Sequence, residues 1–260
     1  MNILDYHVKS LPSDQNALNV FKGEWSSKFP GSNLTAGNLP LFEDTRITWA
    51  EQQFNGFKDQ HILELGPLEG GHSYMLEKMG ASTITAVESN THAYIRCLIT
   101  KEILQLHRVR FLLGDFMPFL KNASQRYDAC IASGVLYHMQ NPAELIQLIS
   151  EVSDKIFLWT HYFDAELIKA NPKIEKNKFS VQEESIHQGF KHTLYRYNYK
   201  AALEWTGFCG GSADFSFWMS RQDILACLYH FGFKTQAIHG EKTHHVNGPC
   251  FCVAASKIIA

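Results

Sequence analysis

The sequence predicts an α/β chain built on a doubly wound, seven-stranded, mostly parallel sheet with an antiparallel last strand, an N-terminal arm and an insertion before the last helix. Three observations predict it. From His61 onward, short β-rich apolar runs alternate with amphipathic stretches, the pattern of βαβ units. The first of those runs leads through a glycine-bearing turn directly into a helix start. The chain has 260 residues, 45% hydrophobic and 19% charged, which is enough for one sizeable core and too apolar for a disordered tail.

In chain order, residues 1–59 read as an arm or lid. Gly23, Pro30, Gly31, Gly37 and Pro40 interrupt any sustained period, and only Thr45 to Phe57 looks helical. Residues 60–260 form the main domain. Its strands are expected at His61–Leu65, Thr83–Val87, Val109–Leu113, Tyr127–Ala132 and Lys155–Trp159. Helices fit between them at Ser73–Met79, His92–Leu106, a short stretch after Asp115, and Pro142–Val152. Asn141-Pro142-Ala143-Glu144 supplies a capping side chain, a proline at the first helical position and an early acid, a strong helix start. Residues 163–217 break the alternation and read as an insertion on the substrate side. Its aromatic residues, among them Tyr195, Tyr197, Tyr199, Trp205, Phe208, Phe215 and Phe217, read as a small satellite core rather than as stacking platforms for bases. Helix Arg221–Phe231, strand Lys234–His239 and strand Pro249–Ser256 close the chain, with Asn247-Gly248 turning the last two strands into antiparallel neighbours.

Charge and cysteine usage exclude several classes. Lys plus Arg total 24 against 26 Asp plus Glu, a formal charge of -2, which gives no global basic field for a phosphate backbone. Cys97, Cys130, Cys209, Cys227, Cys250 and Cys252 are dispersed without a CxxC pair, so reduced thiols in a cytoplasmic protein are expected. Asp5, His7 and Lys9 occupy the place of a signal peptide's apolar stretch, and no uncharged apolar run approaches the roughly 18 residues of a membrane span. No metal site is expected: neighbouring His244 and His245 point to opposite faces of a strand while Cys250 and Cys252 share one.

The chemistry concentrates in His61-Ile62-Leu63-Glu64-Leu65-Gly66-Pro67-Leu68-Glu69-Gly70-Gly71-His72-Ser73. Here backbone can approach a ligand closely, and the helix start offers unpaired N–H groups. The next strand ends in Val87-Glu88-Ser89-Asn90, which puts an acid about 20 residues beyond the turn, the place of a ribose-binding carboxylate. A dinucleotide site would want glycine where Leu68 stands, and Glu69 would repel a pyrophosphate. S-adenosylmethionine carries a sulfonium and an ammonium group and no phosphate, so it is compatible with these acids.

These residues resemble the class I S-adenosylmethionine-dependent methyltransferases and their Rossmann-like fold. Glu64-Leu65-Gly66 with Gly70 is similar to the family's first motif, and Leu68 departs from its common central glycine. The resemblance implies that Glu64, Gly66, Pro67, Leu68, Gly70, Gly71, His72 and Ser73 surround the cofactor, and that Glu88, with Ser89 and Asn90, takes the ribose. It likewise implies adenine contact for Asp115 and Phe116 in Gly114-Asp115-Phe116, and places Ser133 and Gly134 beside the methionine moiety. The stretch Gly134-Val135-Leu136-Tyr137-His138-Met139 looks like the form in a branch holding bacterial wobble-uridine tRNA-modifying enzymes and many small-molecule methyltransferases.

The expected activity is methyl transfer from S-adenosylmethionine, leaving S-adenosylhomocysteine, to a small-molecule oxygen, nitrogen or carbon nucleophile. His138 is the first candidate base and His161 the second, since imidazole ionises near neutrality. A packed role for His138 beside Tyr137 weighs evenly against this. Tyr137 and Tyr162 are candidate substrate contacts. Arg46 reads first as a surface ion pair, with the substrate pocket or the cofactor's carboxylate as its functional reading. A tRNA substrate and a catalytically silent cofactor-binding protein are the alternatives, and the charge balance ranks the small molecule above tRNA.

Overall fold

The computed structural model describes residues 3–31, 33–174, 178–205, 207–208 and 210–258. In the arm lie α1 (Asp14–Asn19) and α2 (Thr45–Gln53). The main domain begins with β1 (His61–Leu65), α3 (Gly71–Lys78), β2 (Thr83–Glu88), α4 (Thr91–Ile103), β3 (Val109–Leu113), α5 (Phe116–Lys121), β4 (Ala129–Ser133), α6 (Pro142–Val152) and β5 (Lys155–His161). Then come α7 (Ala165–Ala170), β6 (Phe179–His187), β7 (Phe190–Asn198) and β8 (Phe215–Trp218). The chain ends in α8 (Arg221–His230), β9 (Phe233–Lys242) and β10 (Cys250–Lys257).

Seven strands form one sheet in the order β3-β2-β1-β4-β5-β10-β9. Only β10 runs against its neighbours, pairing antiparallel with both β5 and β9. The doubly wound sheet with a reversed last strand is therefore as expected. Alternate strand residues serve opposite faces. Ile62, Ile131, Phe157 and Ala254 pack beneath α2, α3 and α4, whereas Leu63, Cys130, Leu158 and Val253 pack beneath α6 and α8. Each fully buried Ile, Leu or Phe contributes about 1.5–3 kcal/mol as an upper estimate.

Several boundaries shift for local reasons. Helix α2 stops short of Phe57 because Asn55 and Gly56 both take positive φ, 59° and 94°. Strand β5 runs two residues past Trp159, so His161 lies within the strand and pairs with Cys250. The stretch 163–217 holds a separate antiparallel sheet in the order β6-β7-β8, which its mixed apolar and charged pattern did not reveal. Within it Trp218 and Tyr199 are buried, and Phe163 stacks on Tyr195 with centroids 3.7 Å apart. Cys97, Cys130, Cys227, Cys250 and Cys252 are free and buried, while Cys209 lies outside the described residues. Among the described residues no helix is long and apolar enough to cross a membrane.

The arm is packed. Leu18, Phe21, Trp25, Phe29 and Phe42 form their own apolar cluster against Tyr74, Ile99 and Ile103 of α3 and α4. Its anchor is Glu69, only 1% exposed, whose two carboxylate oxygens accept the Ser26 and Ser27 backbone N–H groups at 2.8 Å each. Arg96 lies 3.4 Å from the same carboxylate and 3.3 Å from Glu24 in the arm. At Gly71 the arm comes so close that a Cβ would sit 2.7 Å from the Leu41 carbonyl oxygen.

Removing this carboxylate would strand Arg96 and two backbone donors. Glu69→Ala is expected to lower unfolding stability by roughly 3–5 kcal/mol and to open residues 10–40 to proteolysis. Urea titration and mapping of early tryptic cuts check this; cuts distributed as in the wild type would show that Glu69 does not hold the arm.

Candidate functional site

A cavity of ≈ 670 Å³ opens at the carboxyl ends of the parallel strands. It sits where the strand order reverses between β1 and β4, the position at which doubly wound sheets bind ligands. The turn after β1 forms one wall through Gly66, Pro67, Leu68, Gly71 and His72, and Glu88, Ser89, Asp115 and Phe116 continue it. Ser133, Gly134, Tyr137, His138 and Trp159 line the other side. The arm contributes Ser27, Leu39 and Leu41, and the insertion contributes 210–213.

The turn is shaped by backbone of the left-handed class. Gly66 has φ 67°, and a Cβ there would lie 2.7 Å from Val135 Cγ1. Leu68, which replaces the expected glycine, takes the glycine-like conformation anyway at φ 56°, at a cost of about 1–2 kcal/mol. Its backbone pays this back in part: Leu68 N–H donates to Glu88 Oε2 at 3.1 Å, and Asn90 N–H donates to Oε1 at 2.9 Å. Glu88 is 7% exposed and burial raises its pKa, opposed by those N–H groups. Its carboxylate is thus held at the cavity wall.

Asp115 caps α5 by accepting Met117 N–H at 2.8 Å while facing the cavity. Asn90 caps α4 through Ala93 N–H and donates from Nδ2 to the Phe208 carbonyl at 3.2 Å, so it ties the insertion down and lies outside the cavity lining. Glu64 and Ser73 also lie outside the lining: Ser73 Oγ donates to the buried Glu64 carboxylate, whose pKa burial raises. Glu64 Oε1 has no hydrogen-bond partner among the described residues, with His72 Nδ1 3.8 Å away. Gly70 sits behind the turn against the Phe111 ring.

Arg46 is no surface ion pair. Its guanidinium clasps Asp44 with two hydrogen bonds from Nε at 2.9 and 3.0 Å and another from Nη2, and lies 4.4 Å above the Trp159 ring. His72 Nε2 sits 2.9 Å from Asp44 Oδ2. Burial disfavours the Asp44 carboxylate, yet hydrogen bonds and charge from His72 and Arg46 hold its pKa below the ordinary value. Both Arg46 and His72 line the cavity.

The two candidate bases separate. His138 lines the cavity with Nδ1 2.7 Å from the Tyr199 hydroxyl, and burial, aided by His161, pushes its pKa down to about 3. His161 does not line it. The ring is 3% exposed, stacks on Trp218 at 5.3 Å, and its Nδ1 lies 2.8 Å from the Gly248 carbonyl. Tyr162 is also misplaced by the sequence reading: because β5 continues through His161, its ring turns into the core beside Phe251 and its hydroxyl donates to Glu241 at 3.1 Å. The sequence reading missed Asp44, Trp159 and Tyr199, and the rim pair Lys121–Glu144 at 2.7 Å. Trp159 was within reach, since it ends a predicted strand on the cavity edge; Tyr199 lies 61 residues from His138 and no local pattern links them.

Residues 63–155 match a family model described as a methyltransferase domain. Among solved structures, the chain resembles the N-terminal domain of EvdMO1, crystallised in the presence of SAH and D-fucose, at a TM-score of 0.68 and 18% identity over 94% of both chains. It also resembles magnesium protoporphyrin IX methyltransferase from Synechocystis PCC 6803 with bound SAH, at 0.55 and 14% identity over 83% of this chain and 81% of that one. A tRNA U34 carboxymethyltransferase of Psychrobacter arcticus is 25% identical over 132 residues, a match spanning 45% of this chain and only 38% of the relative.

His161 supplies a pH test. Burial, then the charge of His245, lowers its pKa to about 4, so between there and the unfolded value of about 6.5 the unfolded chain binds the extra proton. Stability from this group is complete above pH 6.5 and is lost as pH falls toward 4, by up to about 3 kcal/mol. Urea unfolding at pH 7.5 and 4.5 is expected to show a smaller acid loss in His161→Asn than in the wild type; equal losses would remove His161 as a source.

Proposed function

We propose that this chain, which carries the fold and methyltransferase domain of the class I S-adenosylmethionine-dependent methyltransferases, transfers a methyl group to an oxygen, nitrogen or carbon nucleophile of a small molecule. The observation that carries the reading is the buried Glu88 carboxylate, fixed by Leu68 and Asn90 N–H groups on the same cavity wall as the Gly66–Leu68 turn. The residues present fit S-adenosylmethionine. Glu88 suits a ribose diol, Asp115 and Phe116 an adenine edge and face, and the turn with Ser133 and Gly134 an amino-acid end. When bound, that cofactor supplies a methyl carbon already activated by its sulfonium.

What the protein adds is alignment, exclusion of water and management of one proton. The arm residues Leu39 and Leu41 and the insertion residues 210–213 line the cavity and extend its walls beyond the sheet edge. His138 is neutral at physiological pH, held at Nδ1 by Tyr199. A weakly basic imidazole suffices here, because a hydroxyl or amine proton becomes strongly acidic as its atom gains a carbon bond. Glu144, Asn141 and Lys121 at the rim suit polar groups of an acceptor.

A second reading, tRNA modification, is favoured by the carboxymethyltransferase similarity. The -2 net charge weighs for a small acceptor instead.

Calorimetry is expected to show one site for S-adenosylmethionine and for S-adenosylhomocysteine; folded protein that binds neither would overturn the proposal. Glu88→Ala is expected to weaken both by about 1–3 kcal/mol, and unchanged affinity would remove Glu88 from the ribose. With radiolabelled methyl donor and fractionated cell extract, label is expected in the metabolite fraction, whereas label in RNA would favour the second reading and label nowhere a silent binder. Once an acceptor is identified, His138→Ala is expected to lower kcat at least tenfold with cofactor affinity retained; wild-type kcat would reduce His138 to packing.

A further inference from the structure

Behind the Tyr137–Trp159 wall of the cavity, three potential metal ligands converge from separate parts of the chain. His161 comes from the end of β5, Cys250 from the start of β10, and His245 from the loop joining β9 to β10. One ligand atom from each lies within 4.8 Å of the other two. His161 and Cys250 are direct partners in the antiparallel β5–β10 register, so the sheet itself fixes their separation. The His161 and His245 rings are 5.1 Å apart, centroid to centroid.

We propose that His161, His245 and Cys250 form a binding site for a borderline divalent transition metal, with zinc as the chemical archetype. Two imidazoles and one thiolate select zinc or cobalt over magnesium or calcium, which demand oxygen. Bond lengths of about 2.0–2.1 Å to nitrogen and 2.3 Å to sulfur imply ligand separations of roughly 3.3–3.7 Å. The present spacing therefore needs a contraction of on the order of 1 Å, within the reach of the loop that carries His245.

The surroundings prepare each ligand. Donation from His161 Nδ1–H to the Gly248 carbonyl at 2.8 Å leaves its other nitrogen as a lone pair, the arrangement that orients metal-bound histidines. His245 is half-exposed and accepts a long 3.2 Å bond from Asn247 N–H at Nδ1, which a metal can displace. Burial raises the pKa of the Cys250 thiol, and the Trp159 side chain, Lys242 and Arg46 oppose that rise only in part, so metal coordination is what would draw off its proton. An open surface depression over His244, His245 and Val246 gives an entry path from solvent. Three protein ligands leave one coordination position for water, and the ion would pin the β9–β10 loop to the back wall of the cavity.

The test uses the full chain stripped with chelator and titrated with Co²⁺, then Zn²⁺. One Co²⁺ per chain is expected, with a thiolate-to-cobalt charge-transfer band that Zn²⁺ abolishes, and a rise in Tm with metal. Cys250→Ser is expected to lose the band, and His245→Ala, in a half-exposed loop where folding is undisturbed, to weaken Co²⁺ at least tenfold. His244→Ala, on the exposed side of the same loop, is expected to bind as wild type. Absence of stoichiometric binding, or binding that His245→Ala leaves unchanged, overturns the proposal.

Discussion

The turn between β1 and α3 is held by two buried carboxylates with different partners, and the rest of the molecule is arranged around that restraint. Glu88 reaches it from the end of β2 and accepts the Leu68 N–H. Glu69, inside the turn, is buried against the arm and accepts two of its N–H groups. A buried carboxylate without such partners would neutralise itself or unfold its surroundings. Each acid is therefore committed to a partner, and each commitment fixes a segment distant in sequence.

One consequence is that the arm and the cavity are mechanically joined. The residue that anchors Ser26 and Ser27 is the neighbour of Leu68, whose backbone is anchored to Glu88. Arg96 extends the link by spanning Glu69 and Glu24. A ligand that shifts the turn would thereby shift Leu39 and Leu41 in the cavity lining, and the arm's apolar cluster supplies the burial that resists it. The insertion is tied to the same edge at a second point, by Asn90 to the Phe208 carbonyl.

What was legible in the sequence follows from the range of the interactions involved. The strands and helices around β1 to β5 announce themselves through local periodicity and caps, as Asn141 does by accepting Glu144 N–H at the head of α6. The Gly66 turn and Glu88 are legible because their chemistry lies within one βαβ unit. Arg46 was misread because its partner Asp44 looks like a cap alone, and indeed accepts Arg46 N–H; its burial comes from His72 and Trp159, far along the chain. His161 and Tyr162 were misread because β5 runs two residues longer than its apolar run, and each added residue exchanges the faces of a strand. Strands β6 to β8 escaped notice because an exposed sheet such as β6 carries too little apolar alternation to be read.

The acids of the turn also bear on the choice between nucleotide ligands. Asp44, Glu64, Glu69 and Glu88 are all buried there, and the cationic side chains set directly against them are Arg46 and Arg96, with His72 bridging Asp44 and Glu64. Glu64 keeps one oxygen without a hydrogen bond among the described residues, and burial holds the pKa of both Glu64 and Glu88 above the ordinary carboxylate value. A pyrophosphate brought to this turn would deepen an existing excess of negative charge in a medium that screens it poorly. A ligand carrying a sulfonium and an ammonium group would relieve that excess and favour the ionised carboxylates. The leucine at position 68 acts in the same sense, since a dinucleotide site has a glycine there so that backbone can approach the pyrophosphate.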